Sequence, residues 1–86
     1  MDEIEGWRNK IDEIDTQLLT LLNQRANCAT EIGKIKAQNS IEIYNPARER
    51  EIIENLIAHN EGPLPELAIQ NIFELIINEC RSLEKE

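Results

Sequence analysis

The sequence predicts an all-α protein of three helices, the first very long, that assembles as an intertwined homodimer. The chain of 86 residues has only three glycines and three prolines, and 3% of it is aromatic, which favours a helical domain over residues 1–86. Apolar residues recur at alternating intervals of three and four from Ile4 to Ile35, and Pro46 and Pro65 mark two later helix starts. We therefore predict helices at about 3–38, 46–60 and 65–85.

The first helix carries a heptad seam of the kind that packs against other helices. Its apolar members are Ile4, Trp7, Ile11, Ile14, Leu18, Leu21, Cys28, Ile32 and Ile35. Arg25 occupies the seam position between Leu21 and Cys28, where an apolar residue is due. Because a guanidinium keeps its charge and is costly to bury alone, we expect an anion to meet Arg25.

The length of this helix predicts a second copy of the chain. Some 35 helical residues span about 50 Å, whereas a compact domain of this size is about 30 Å across. The seam stays apolar beyond that limit, so a two-fold dimer with a shared core is the economical arrangement. Gly33 costs about 1 kcal/mol within a helix, and we expect close packing rather than function to explain it.

Clear capping signals define the second and third helices. Asn45 can cap the second helix and Pro46 suits its first position, where no amide hydrogen is needed. This helix has an apolar face containing Ile52 and Ile53, and the third helix has an apolar stripe of eight residues between Leu67 and Leu83. The connector residues 41–44 alternate in polarity but are too few to predict a strand.

Composition excludes several classes of partner. The net charge of −8 argues against binding to nucleic acid and to anionic membrane surfaces. No apolar run approaches the roughly 20 residues of a membrane-spanning helix. Cys28 and Cys80 lie on apolar faces without metal-ligand spacing, so we expect reduced thiols packed as small hydrophobic groups, in the cytoplasm.

Several cations face the apolar surfaces of the helices. Arg25 and Lys36 lie within about 20° of each other on the first helix, and Arg48 lies four residues before Ile52 on the inner face of the second. Glu84 continues an apolar line of the third helix to the edge of the core. This alignment predicts a site for a small anion with more than one carboxylate, because arginine binds carboxylates in a two-pronged geometry.

Arg8 flanks the same seam but lies about 25 Å from Arg25 along the helix, so only a partner chain could bring it to this site. Sequence patterns give no phosphate-binding loop, no metal-ligand cluster and no nucleophile with a neighbouring base. One alternative is that Arg25 pairs with a glutamate of a neighbouring helix. Another is that the chain is a non-catalytic dimerisation or regulatory module.

Five segments, in order and at their separations, resemble the all-helical chorismate mutases. These segments are 7–15, 21–25, 31–36, 45–51 and 72–77, which read WRNKIDEID, LLNQR, EIGKIK, NPARERE and IFELII. The resemblance covers nearly the whole chain. It implies an intertwined homodimer that converts chorismate to prephenate, on the route to phenylalanine and tyrosine, without a metal or cofactor.

The resemblance also implies roles for individual residues. Arg25 and Arg8 of the partner subunit would bind the two carboxylates of the substrate, and Lys36 would donate to its ether oxygen. Arg48 would support the electrostatics of the site. Glu49 would accept a hydrogen bond from the ring hydroxyl, and Ile32 would form an apolar wall.

Three positions depart from common forms of the family. Asn45 replaces a frequent aspartate but keeps its capping role, and Cys80 replaces a serine or another small residue and would weaken one polar contact. Glu84 stands where many bacterial relatives have glutamine, a donor to the ether oxygen. Because only the protonated carboxyl group can donate, we expect Glu84 to act as an acid, with partial burial favouring that form.

Two alternatives stay open at this point. An isochorismate pyruvate-lyase would share the fold and most of the cationic site, although the segment around Arg48 and Glu49 resembles the mutases more. The domain could also be free-standing or fused to a dehydratase, a dehydrogenase or an aldol-condensing synthase.

Overall fold

The computed structural model describes residues 2–85 and contains three helices. These are α1 (Asp2–Gln38), α2 (Pro46–His59) and α3 (Glu66–Glu84). The all-α class and the long first helix are confirmed, and the predicted helix limits differ from these by one residue at most. The connector residues 41–44 form no strand.

Helix α1 sets the dimensions of the molecule. Its 37 residues correspond to about 55 Å of helix, and the longest extent of the chain is 57 Å. Acidic residues occupy its first turn and Lys36 its last, as the helix macrodipole favours. The radius of gyration is 16.2 Å, well above the roughly 12 Å of a compact domain of this size.

An asparagine lies at each end of α2. The Oδ1 atom of Asn45 accepts a hydrogen bond from the Arg48 amide at 3.1 Å, and Pro46 follows as the first helical residue. At the other end, Asn60 donates to the Leu64 carbonyl at 2.7 Å and accepts from the Gly62 amide at 3.0 Å. Pro65 was expected to open α3, but it forms the cap and the helix begins at Glu66.

Helix α3 packs against both other helices and carries most of the small core. Its buried residues are Ile69, Ile77 and Cys80, and α1 contributes Ala29 and Gly33. Cys80 is a buried free thiol, as expected, whereas Cys28 is exposed in the single chain. That part of the prediction is wrong for one chain alone, because Cys28 belongs to a seam that the chain does not itself cover.

The α1 seam is largely exposed in the single chain. Its apolar side chains from Ile4 to Leu21 are each about half exposed or more, and Trp7 is 67% exposed. This exposure and the extended shape are consistent with an intertwined dimer. Among residues 2–85, no helix is both long and apolar enough to cross a membrane.

Gly33 allows the end of α3 to contact the α1 backbone. A Cβ atom at this position would lie 2.5 Å from the Glu84 carbonyl oxygen and 2.7 Å from its Cα. Both distances are shorter than real Cβ contacts, so any side chain here would displace α3. The expectation that Gly33 reflects close packing is confirmed.

We predict that Gly33→Ala destabilises the protein by up to about 2 kcal/mol. Overpacking costs about 1–3 kcal/mol, and the roughly 1 kcal/mol that alanine gains over glycine in a helix offsets part of this cost. Urea unfolding at a fixed protein concentration measures the change. The matched control is Gly6→Ala, because a Cβ at Gly6 meets nothing within 4 Å, and it should be neutral or stabilising. If the two variants behaved alike, the close contact would not limit position 33.

Candidate active site

One cavity of about 360 Å³ lies among the last third of α1, the connector, the start of α2 and the end of α3. Seven of the nine predicted site residues line it, namely Arg25, Ile32, Lys36, Asn45, Arg48, Glu49 and Glu84. Cys28, Ala29, Ile43, Ile52, Ile77 and Arg81 complete the lining. The structure therefore brings four cations and two carboxylates to one partly apolar cavity.

Lys36 is held between α3 and the connector. Its Nζ atom donates to the Ile43 carbonyl at 2.8 Å and lies 2.8 Å from Glu84 Oε1. Both side chains are largely buried, with 17% of Lys36 and 14% of Glu84 exposed. At this depth the attraction between the two charges is screened less than at the surface.

The Glu84 carboxylate has unused hydrogen-bonding capacity. Its Oε1 atom is buried and has no hydrogen-bond donor in the described part of the chain, although Lys36 Nζ is close. We interpret this contact as an ion pair by its 2.8 Å distance, without the alignment of a hydrogen bond. A buried acceptor of this kind calls for a donor, which a ligand in the cavity would supply.

Arg25 faces the cavity without a carboxylate partner from residues 2–85. The ion pairs formed by this part of the chain involve other cations, and Arg25 is partly buried. The alternative, that a glutamate of a neighbouring helix neutralises Arg25, is not seen among the described residues. Arg25 is therefore available to an anion in the cavity.

Arg48 lies at the mouth of the cavity rather than deep inside it. It was expected on the inner face of α2, and it does line the cavity, but its side chain is 59% exposed. The reason is local, because its guanidinium pairs with Glu51 one turn further along the same helix. Exposed pairs of this kind are weak, about 0.3–0.5 kcal/mol, so Arg48 can turn toward a ligand at little cost.

Arg8 and Cys80 do not line the cavity of their own chain. Arg8 is exposed and pairs with Glu5 near the start of α1, remote from the cavity as the helix geometry predicted. Cys80 is packed into the core with 7% of its surface exposed. The substrate contact expected for Cys80 is not seen at the cavity of this chain and stays a prediction.

Arg81 is the functional-site residue that sequence reasoning missed. Its Nε and Nη2 atoms donate to the two oxygens of Glu49 at 2.8 and 3.0 Å. These hydrogen bonds are the main cause that raises the pKa of Arg81. The sequence contained a signal, because Ile77, Arg81 and Glu84 are spaced by four and three residues and share one face of α3.

Comparison of the sequence with known protein families identifies one that matches most of the chain. The family model described as "Chorismate mutase type II" matches residues 7–85. The chain belongs to the type II chorismate mutases. The resemblance inferred from the sequence is therefore confirmed.

Two chorismate mutase proteins from different organisms are similar to the chain. It is 43% identical over 89 residues to a bifunctional chorismate mutase/prephenate dehydratase of Aquifex aeolicus, a match that covers 99% of the chain and 25% of that protein. It is 32% identical over 88 residues to a chorismate mutase of Methanocaldococcus jannaschii, covering 100% of the chain and 88% of the relative.

A solved chorismate mutase structure from Thermus thermophilus superposes with a TM-score of 0.96 at 31% identity. The match covers 98% of the chain and 96% of the Thermus chain. The type II mutase domain thus accounts for nearly the whole of this sequence. At the same time, the chain spans only about a quarter of the length of the bifunctional relative from Aquifex aeolicus.

We predict that Lys36→Met lowers the free energy of unfolding by about 1–3 kcal/mol, because it leaves the buried Glu84 carboxylate unpaired. Adding Glu84→Gln should recover most of the loss, since the neutral amide no longer needs a counter-charge. Urea unfolding of the parent, both single variants and the double variant gives the coupling energy. Simple additivity of the two changes would show that the ion pair does not couple the residues.

Proposed function

We propose that the protein converts chorismate to prephenate in the biosynthesis of phenylalanine and tyrosine, and that it does so as an intertwined homodimer. The observation that carries the proposal is the convergence of Arg25, Lys36 and Arg48 on one cavity in a chain of this family. We place the reaction in the cytoplasm, which the two free cysteines support.

The reaction is an intramolecular rearrangement in which a carbon–oxygen bond breaks as a carbon–carbon bond forms. It needs no nucleophile and no general base. A protein can accelerate it by holding the compact, chair-like conformer of the substrate and by stabilising the negative charge that develops on the ether oxygen. Fixed cations around a partly apolar cavity suit both tasks.

Lys36 is the donor proposed for the ether oxygen. An ammonium group has three N–H donors, one of which is used by the Ile43 carbonyl. That hydrogen bond and the nearby Glu84 hold the nitrogen in place and leave donor capacity for the substrate. Because Lys36 is already positioned, little reorganisation accompanies the change of charge in the transition state.

The carboxylates of the substrate are assigned to two arginines. Arg25 lines the cavity and lacks an ion-pair partner among the described side chains, so its guanidinium suits two-pronged binding of one carboxylate. Arg8 of the partner subunit is proposed for the other. Arg48 supports the site from its mouth, Ile32 offers an apolar wall, and Glu49 accepts a hydrogen bond from the ring hydroxyl.

The exposed seam of α1 supports the dimer. Stable interfaces bury at least about 1,000 Å², and an apolar face that runs most of the length of a 37-residue helix offers such an area. If two α1 helices run antiparallel, the start of one lies beside the last third of the other. This arrangement covers Trp7 and brings Arg8 to the partner's cavity.

The activity is tested by supplying chorismate and isochorismate separately to the purified protein. We expect prephenate from chorismate. Pyruvate and salicylate from isochorismate alone would instead identify the pyruvate-lyase, and no turnover of either compound would favour a non-catalytic module. The same assay tests the shared site with Arg8→Met and Arg25→Met, each of which should lose at least about 30-fold in kcat/KM.

Refolding these two weakened variants together tests whether Arg8 acts across the dimer interface. In a mixed dimer one site has both arginines and the other has neither. With random pairing, the mixture should regain about one quarter of the parent activity. If Arg8 acted within its own chain, mixing would restore nothing. Arg50→Met, at an exposed arginine of α2, serves as the control and should keep full activity.

Glu84 offers a test of hydrogen-bond donation to the ether oxygen. A carboxylate cannot donate to this oxygen, whereas an amide can. We therefore predict that Glu84→Gln raises kcat/KM at neutral pH. A kcat/KM equal to or below that of the parent would exclude a benefit from a donor at this position.

A further inference from the structure

The Arg81 guanidinium connects three segments of the chain. It binds both oxygens of Glu49 on α2 at 2.8 and 3.0 Å, and its Nη2 atom also donates to Asn78 Oδ1 at 2.6 Å. Its Cζ atom lies 4.9 Å from the centre of the Tyr44 ring in the connector. Arg81 and Glu49 are three-quarters buried, with 26% and 23% of their side chains exposed.

This geometry leaves little freedom to the Glu49 carboxylate. Two parallel hydrogen bonds fix both its distance from Arg81 and the plane in which it lies. Asn78 holds the guanidinium from within its plane, and the Tyr44 ring supports it from one face. Each carboxylate oxygen keeps a further lone pair, so Glu49 can still accept a hydrogen bond from a molecule in the cavity.

The charge of Arg81 also matters to the cavity. A substrate with two carboxylates would be repelled by the carboxylate of Glu49, which lines the same cavity. The ion pair with Arg81 neutralises this charge. The Glu49 carboxylate therefore remains as a hydrogen-bond acceptor in the cavity but repels an anionic ligand less.

We infer that Arg81 is a positioning residue, which orients and neutralises Glu49 so that this carboxylate accepts the ring hydroxyl of the substrate. The inference rests on the proposed function, because it assigns Arg81 a part in that same site. Arg81 acts through Glu49 and needs no contact with the substrate itself. Its removal should therefore matter only while Glu49 is present, and most when the substrate carries the ring hydroxyl.

A double-mutant cycle with Glu49→Gln tests this dependence. In the parent background, Arg81→Met should lower kcat/KM about tenfold, mainly by raising KM. In the Glu49→Gln background, the same change should alter kcat/KM less than about twofold. Arg81→Lys keeps the charge without the two-pronged geometry and should restore part of the activity. Arg50→Met is the control and should leave kcat/KM unchanged.

A substrate analogue separates positioning from a purely structural role. With a chorismate analogue that has hydrogen in place of the ring hydroxyl, Arg81→Met should lose clearly less kcat/KM than it does with chorismate, because only the repulsion between Glu49 and the substrate carboxylates remains. Arg81→Met should also retain a cooperative unfolding transition. If Arg81→Met does not fold, Arg81→Lys is compared with the parent on chorismate and on the analogue instead. Equal losses in both backgrounds, or an equal loss with the analogue, would overturn the inference.

The two levels of the proposal fail in different ways. A parent protein that forms no prephenate would overturn the proposed function and this inference together. An active parent whose Arg81 and Glu49 variants act additively would overturn the inference alone.

Discussion

The contact between Gly33 and the Glu84 backbone determines where the charges of the site lie. At this point α3 approaches α1 more closely than any side chain would allow, and Lys36 follows Gly33 by one helical turn. The same approach therefore places the Glu84 carboxylate 2.8 Å from Lys36 Nζ. Helix α3 also carries Arg81, which binds Glu49 of α2. The glycine at position 33 thus determines the position of the Lys36–Glu84 ion pair. It also determines the position of α3, the helix that carries Arg81 of the second ion pair.

The charges in the cavity divide into two groups. Lys36 and Arg81 each have a carboxylate neighbour, Glu84 and Glu49 respectively, and these pairs are largely buried. Arg25 has no such neighbour within residues 2–85, and Arg48 has only an exposed one. The paired charges are held in place, while the others remain available to a ligand. This division suits a reaction in which the protein supplies orientation and electrostatic stabilisation, because preorganised charges need not rearrange as the transition state forms.

The periodicity of the sequence predicted most of the fold and the part of the site that lies within one helix. Arg25 and Lys36 could be placed on a common face of α1, and Asn45 and Pro46 could be assigned to a helix start, because both follow from local geometry. The bond between Arg81 and Glu49 joins residues 32 positions apart and depends on how α3 is rotated against α2. One residue turns a helix by about 100°, so periodicity alone does not show that Arg81, rather than its neighbour Cys80, lines the cavity. The ion pair of Arg48 with Glu51 depends on the side-chain rotamer of Arg48, which periodicity does not determine.

The position of Arg25 connects ligand binding with assembly in the proposed dimer. It replaces an apolar residue in the seam that the second chain would cover, so its unpaired charge opposes the packing of that seam. A dianion bound by Arg25 and by Arg8 of the partner subunit would neutralise this charge and bridge the two chains. A ligand that binds only the assembled form stabilises that form. In the proposed dimer, the residue that weakens the seam of the empty protein would therefore help to hold the two chains together once substrate is bound.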